Sequence, residues 1–295
     1  MNLRDRLIDP RSPDRRPRRA AYVLPTLFTA GNVFLGFVAI LQAFQGAMMA
    51  IKGDLGPNAH FETSAKMIGF AVFFDGLDGR IARMTNTVSD FGREMDSLAD
   101  VIAFGIAPAV LAYAWGIQFI QAPVDLVLFG RLLNAGYFIC FLFLLCGAAR
   151  LARFNVTTNP IPKNPGRADR KYFVGLAIPA AAGLVAAIVY ACGGEPLRWW
   201  PWAVLWLALN ALLSFLMVST WRYPSFKDIN FGRPRSPLTI VLLGSLIFLI
   251  WTESQPVLLA LAILYVGSGI VLRLGGIFRR FRHSPPTTQA EHPVG

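Results

Sequence analysis

Long apolar blocks separated by short polar segments limit this 295-residue chain to a multi-span membrane fold. The blocks cover residues 28–50, 63–75, 91–117, 126–149, 174–191, 202–220, 239–251 and 257–272. A crossing helix needs roughly 20 residues, so the chain is long enough for about eight spans. The expected fold is all-α and polytopic, with about eight transmembrane helices. Composition agrees, because only 15% of residues are charged, against roughly 25% in soluble domains. Residues 1–21 read as a basic juxtamembrane arm, 22–282 as the transmembrane domain, and 283–295 as a disordered tail. The arm has no apolar stretch of signal-peptide type. Thr26 and Thr29 are candidate caps for the first helix.

The net charge of +11 would point to nucleic acid in a soluble chain. Here the cations flank apolar blocks and no spaced basic recognition element is present. Topology and anionic membrane lipid explain them, and no nucleic-acid partner is expected. With an Arg-rich N-terminus in the cytoplasm, eight crossings return the C-terminus there. On that assignment 24 of the 28 Lys and Arg fall on the inner side, leaving Lys52, Lys66, Arg131 and Arg198. An odd number of spans would break the alternation. Cys140, Cys146 and Cys192 lie in or beside apolar blocks without a C-x-x-C pair, which reads as packing. Trp199, Trp200, Trp202, Trp206, Trp221 and Trp251 lie near block ends and read as an interfacial belt.

The chemistry is concentrated in Asp75-Gly-Leu-Asp-Gly-Arg-Ile-Ala-Arg83, followed after eight residues by Gly92-x-x-x-Asp96-x-x-x-Asp100. Charges beside a membrane span are costly and need partners. Asp75 and Asp78 share one helical face at i, i+3, and Asp96 and Asp100 share another at i, i+4. A turn near residues 85–90 makes the two helices antiparallel, so the four carboxylates can converge near the cytoplasmic surface. Bare, they would repel; divalent cations relieve that repulsion. All-oxygen ligation suits Mg²⁺ or Mn²⁺, and two bridged ions form a clamp for phosphoryl chemistry. Gly76, Gly79, Ala82 and Gly92 let a bulky ligand approach the backbone, and Arg83 supplies a fork for phosphate oxygens.

These residues resemble the signature of the CDP-alcohol phosphotransferase family, D-x-x-D-G-x-x-A-R, eight residues, G-x-x-x-D-x-x-x-D. All eight fixed positions match: Asp75, Asp78, Gly79, Ala82, Arg83, Gly92, Asp96 and Asp100. The resemblance implies attack of an alcohol on a CDP-activated group, such as the phosphatidyl group of CDP-diacylglycerol, with release of CMP. It implies that Asp75, Asp78 and Asp96 hold two metals. Asp100 would also touch a metal and act as the base. Gly79, Ala82 and Arg83 would contact the CDP moiety, with Ser89 near its phosphates. It further implies a homodimer.

Three segments bear on the acceptor: residues 24–40, 96–108 and the run Arg150-Leu-Ala-Arg-Phe-Asn155. Together they are similar to the bacterial integral-membrane branch of the family that uses L-serine. That similarity implies a multi-pass protein of a bacterial inner membrane, with its active site near the cytoplasmic face. Arg150 and Arg153, at i, i+3, can face one pocket and match a carboxylate, with Asn155 beside them. They serve equally well as positive-inside anchors or lipid-headgroup contacts. Asn32, alone in an apolar span, either touches the nucleotide or bonds a neighbouring helix. Within the family the alternative acceptors are glycerol 3-phosphate, an inositol phosphate and choline. Outside it stand a cation transporter and a non-catalytic lipid-binding scaffold. The cytoplasmic position of the acids and the lack of internal repeats argue against the transporter.

Overall fold

The computed structural model describes residues 19–53, 56–85, 90–121, 126–158, 172–224 and 237–282. Among them the apolar blocks fold as helices that share one bundle. The first, α1 (Arg19–Ile51), is followed by α2 (Ala59–Thr85) and α3 (Asp90–Asp100). A π-helix, Val101–Ile106, then runs directly into α4 (Ala107–Gly116). Next come α5 (Leu126–Thr158), α6 (Ile178–Ala191), α7 (Trp200–Val218), α8 (Pro237–Thr252) and α9 (Ser254–Arg282). Two short strands, β1 (Tyr172–Val174) and β2 (Arg222–Pro224), pair antiparallel with Phe173 opposite Tyr223. Five helical segments are long and apolar enough to cross a membrane: Leu27–Ile51, Phe91–Gly116, Val127–Val156, Trp200–Val218 and Ser254–Val271. Helix α6 has 14 residues and rises only about 21 Å, short of the roughly 30 Å hydrocarbon core.

Prolines mark several starts. Pro179 and Pro201 sit in the first turns of α6 and α7, where the missing N–H has no helical partner to lose. Pro108 sits in the first turn of α4, directly after the π-helix. Its ring would crowd the carbonyl four residues back, and a wider turn gives that carbonyl room. The Ala107 N–H accordingly bonds the Ile102 carbonyl, five residues back. This widening begins one residue after Asp100.

Helix α1 lies between the two helices that carry the acids. Against α2 it runs antiparallel: Phe28 meets Phe74, the Ser64 hydroxyl donates to the Ala39 carbonyl at 2.7 Å, and Asn58 donates to the Gly46 carbonyl at 3.0 Å. Against α3 and α4 it runs parallel, with Gly36 so close that a Cβ there would lie 2.8 Å from the Ala103 Cα. Side-chain bonds of this kind and small residues at close crossings hold helices together where lipid offers no hydrophobic drive. Tyr113 of α4 stacks on Tyr137 of α5 at 4.4 Å, and Tyr190 of α6 bonds Ser254 of α9 at 2.6 Å.

Several expectations need correction. The first helix starts by Arg19, so Thr26 and Thr29 lie inside it and cannot cap its start. The fifth apolar block becomes helical only at Ile178, the start of α6, because residues before it pair as β1. Gly175, at φ +77° between them, turns the chain where a Cβ would lie 2.7 Å from the Met217 carbonyl oxygen. Trp206 is no belt residue: it is 4% exposed and donates its indole N–H to the Ala112 carbonyl at 3.0 Å. The basic arm up to residue 18 and the tail 283–295 lie outside the described residues.

Candidate active site

One end of the bundle collects the functional side chains. Phe28 meets Phe74, Asn155 meets Ser97, and Tyr223 meets Tyr265. The first third of α1, the end of α2, α3, the end of α5 and the middle of α9 therefore lie together. At this end Asp75, Asp96 and Asp100 each turn one carboxylate oxygen to a common point, all within 4.8 Å of one another. Asp100 is 9% exposed. The Asp96 Oδ1 is buried with no hydrogen-bond partner among the described residues.

Three ionised carboxylates at that spacing repel strongly. A divalent cation with oxygen ligands offsets the repulsion and satisfies the orphaned Asp96 oxygen. The donor set is all oxygen, as Mg²⁺ or Mn²⁺ requires, so the residues fit a metal. Asp78, Gly79, Ala82 and Arg83 lie in the last turns of α2, and Ser89 is outside the described residues.

Around this cluster the remaining predicted residues divide. Asn32 is fully buried, and neither its amide nitrogen nor its oxygen has a hydrogen-bond partner among the described residues. Gly36 packs on Ala103 along parallel helices, so Asn32, one turn earlier, sits at the level of Asp100. Asn155 donates its amide to the Ser97 hydroxyl at 2.9 Å, and Ser97 in turn donates to the Arg93 carbonyl at 3.0 Å. Arg150 donates Nη2 to the Gly175 carbonyl at 3.2 Å and is within electrostatic reach of Asp100 and Tyr265. Arg153 donates to the carbonyl of Val218, the last residue of α7, at 3.3 Å. That contact caps an open helix end with a cation.

The sequence reading missed Ser97, Tyr223 and Tyr265. Ser97 sits between two acids of the signature, and its position alone could have flagged it. The tyrosines come from β2 and α9, and no local pattern marks them.

A family model for CDP-alcohol phosphatidyltransferases matches residues 22–216. The chain belongs to this family. Its relatives share more than the signature. A Helicobacter pylori protein named CDP-diacylglycerol–serine O-phosphatidyltransferase is 37% identical over 84% of this chain and 91% of that protein. A Bacillus subtilis protein of the same name is 32% identical over 69% of this chain and 91% of its own length. An archaetidylserine synthase from Methanothermobacter thermautotrophicus is 34% identical over 56% of each. The family generally uses divalent metals, in keeping with the carboxylate cluster.

Proposed function

We propose that this chain is a CDP-diacylglycerol–serine O-phosphatidyltransferase, transferring the phosphatidyl group of CDP-diacylglycerol to L-serine and releasing CMP. The observation that carries this reading is the meeting of Asp75, Asp96 and Asp100 at one bundle end, in a chain similar over most of its length to proteins with that name.

In this reading Asp75, Asp78, Asp96 and Asp100 hold two divalent ions, Mg²⁺ or Mn²⁺. Bound there, the ions would offset charge on the pyrophosphate and on the departing CMP. Asp100 accepts the proton of the serine hydroxyl. The serine oxygen forms a bond to the lipid-side phosphorus as the bond from that phosphorus to the CMP oxygen breaks. Gly79, Ala82, Arg83 and Ser89 bind the CDP moiety, and the buried amide of Asn32 offers it a donor and an acceptor. Arg150, Arg153 and Asn155 form the acceptor side. Of these, Arg150 is the best supported, since it alone combines burial of its Nε with reach to Asp100.

The fuller architecture is part of the proposal. It comprises a basic arm at 1–21, a transmembrane domain at 22–282 with eight spans, the short α6 being matched by local thinning of the bilayer, and a tail at 283–295. Both termini and the active site face the cytoplasm of a bacterial inner membrane, and two copies form a homodimer. The sorting of Lys and Arg supports the orientation, as does the run of α9 from Ser254, bonded to Tyr190, to Tyr265 at the carboxylate end, where the first third of α1 also lies.

A panel of acceptors tests the substrate. With CDP-diacylglycerol in mixed micelles, L-serine is expected to drive CMP release well above the rate without acceptor. Glycerol 3-phosphate, an inositol phosphate and choline are expected to leave that rate unchanged. Turnover with glycerol 3-phosphate and none with serine would refute the serine assignment while leaving the family chemistry intact.

A further inference from the structure

Next to the carboxylates lies a second set of polar atoms that the eight-position signature does not contain. Arg150 links the two sets. Its Nη2 is held by the Gly175 carbonyl, at the turn that follows β1, and it is within electrostatic reach of both Asp100 and Tyr265. The Tyr265 ring lies 6.1 Å from the ring of Tyr223. Tyr223 is 0% exposed, and its hydroxyl has no hydrogen-bond partner among the described residues; the same holds for the Arg150 Nε.

Buried donors are rarely left unpaired, because the loss of water is not repaid. Two such donors beside one site point to a ligand that completes them. Tyr223 is also fixed in place: a Cβ on Gly269 of α9 would collide with its ring. Burial, with the neighbouring Tyr265, pushes its phenol up to about 12, so at neutral pH it remains a protonated donor. Both tyrosines lie beyond the segment that the family model matches. They are therefore suited to a role that the shared phosphoryl chemistry does not need, namely recognition of the acceptor.

We propose that Arg150, Tyr223 and Tyr265 form the specificity pocket for the acceptor, taking the carboxylate of a small hydroxy amino acid whose hydroxyl lies at Asp100. The inference rests on the serine reading above and extends it to two residues outside the signature. The guanidinium supplies charge and paired donors for the carboxylate. The Tyr223 hydroxyl supplies a neutral donor that an acceptor without a carboxylate leaves unpaired, which is how a polar site rejects such analogues; Tyr265 positions it through the ring contact.

The test uses the full chain in mixed micelles, with Tyr223→Phe, which removes the hydroxyl and keeps the ring, and Tyr265→Leu, which removes the positioning ring. Each is expected to raise the KM for serine about tenfold or more. The kcat and the KM for CDP-diacylglycerol are expected to stay within about twofold. An unchanged serine KM in both variants would overturn the pocket. So would a parallel change in kcat and both KM values, since that marks a structural role. If Tyr223→Phe does not purify as a folded protein, Tyr265→Leu decides on the same readout. Wild-type protein that turns over glycerol 3-phosphate but not serine would instead remove the serine reading itself, and the pocket with it.

Discussion

Asp100→Asn is expected to slow serine-dependent CMP release by between about 10² and 10⁴, the range that a positioned general base contributes. The amide keeps the size and shape of the carboxylate and cannot accept the proton. It also removes one charge from three that share a 4.8 Å site. The fold should survive the change, because relieving repulsion among acids does not disturb the packing of α3 on α1. A single peak in size-exclusion chromatography and an unchanged melting temperature in metal-free buffer check this. Activity within about threefold of wild type would show that Asp100 is not the base. A non-catalytic scaffold, by contrast, would release no CMP in either form, and Asp100→Asn would leave it intact.

Metal removal gives the second large effect. Chelation of divalent cations is expected to lower turnover at least hundredfold, since charge stabilisation of several kcal/mol is lost and each ~1.4 kcal/mol is tenfold in rate. Excess Mg²⁺ or Mn²⁺ should restore it. A readout that does not need turnover accompanies this. An ion that binds only the folded state stabilises it by about 2.7 kcal/mol at a hundredfold excess over its Kd, so the melting temperature should rise on adding Mg²⁺. Asp75→Ala and Asp96→Ala should each abolish that rise. Full activity in excess chelator, or an equal rise in both variants, would contradict the carboxylate site.

How much of this was legible before folding depends on the range of the interaction. The meeting of Asp75 with Asp96 and Asp100 follows from i, i+4 spacing on one helix and a short turn to the next, all within 26 residues. Helix-period reasoning reaches that far. The π-helix after Asp100 could not be read the same way. It depends on Pro108 and on the close approach of Gly36 to Ala103, and nothing in the apolar pattern distinguishes it. Trp206 reads as interfacial because a Trp near the end of an apolar block has the address of a belt residue. Its partner, the Ala112 carbonyl, lies 94 positions away. Val174 reads as helical because its neighbourhood is apolar, while its pairing with Arg222 is set across the fold. Arg150 and Arg153 looked alike at i, i+3, and only the elements around them separate them. One reaches the turn after β1 and the other the end of α7.

The central claim is that one carboxylate end of this bundle joins serine to a phosphatidyl group. It is tested most directly by following both products of the purified chain in vesicles containing CDP-diacylglycerol and Mg²⁺. On addition of isotopically labelled serine, labelled phosphatidylserine and CMP should appear in a one-to-one ratio, and neither should form without serine. CMP released at the same rate with and without serine, or a labelled lipid that never forms, would contradict the account.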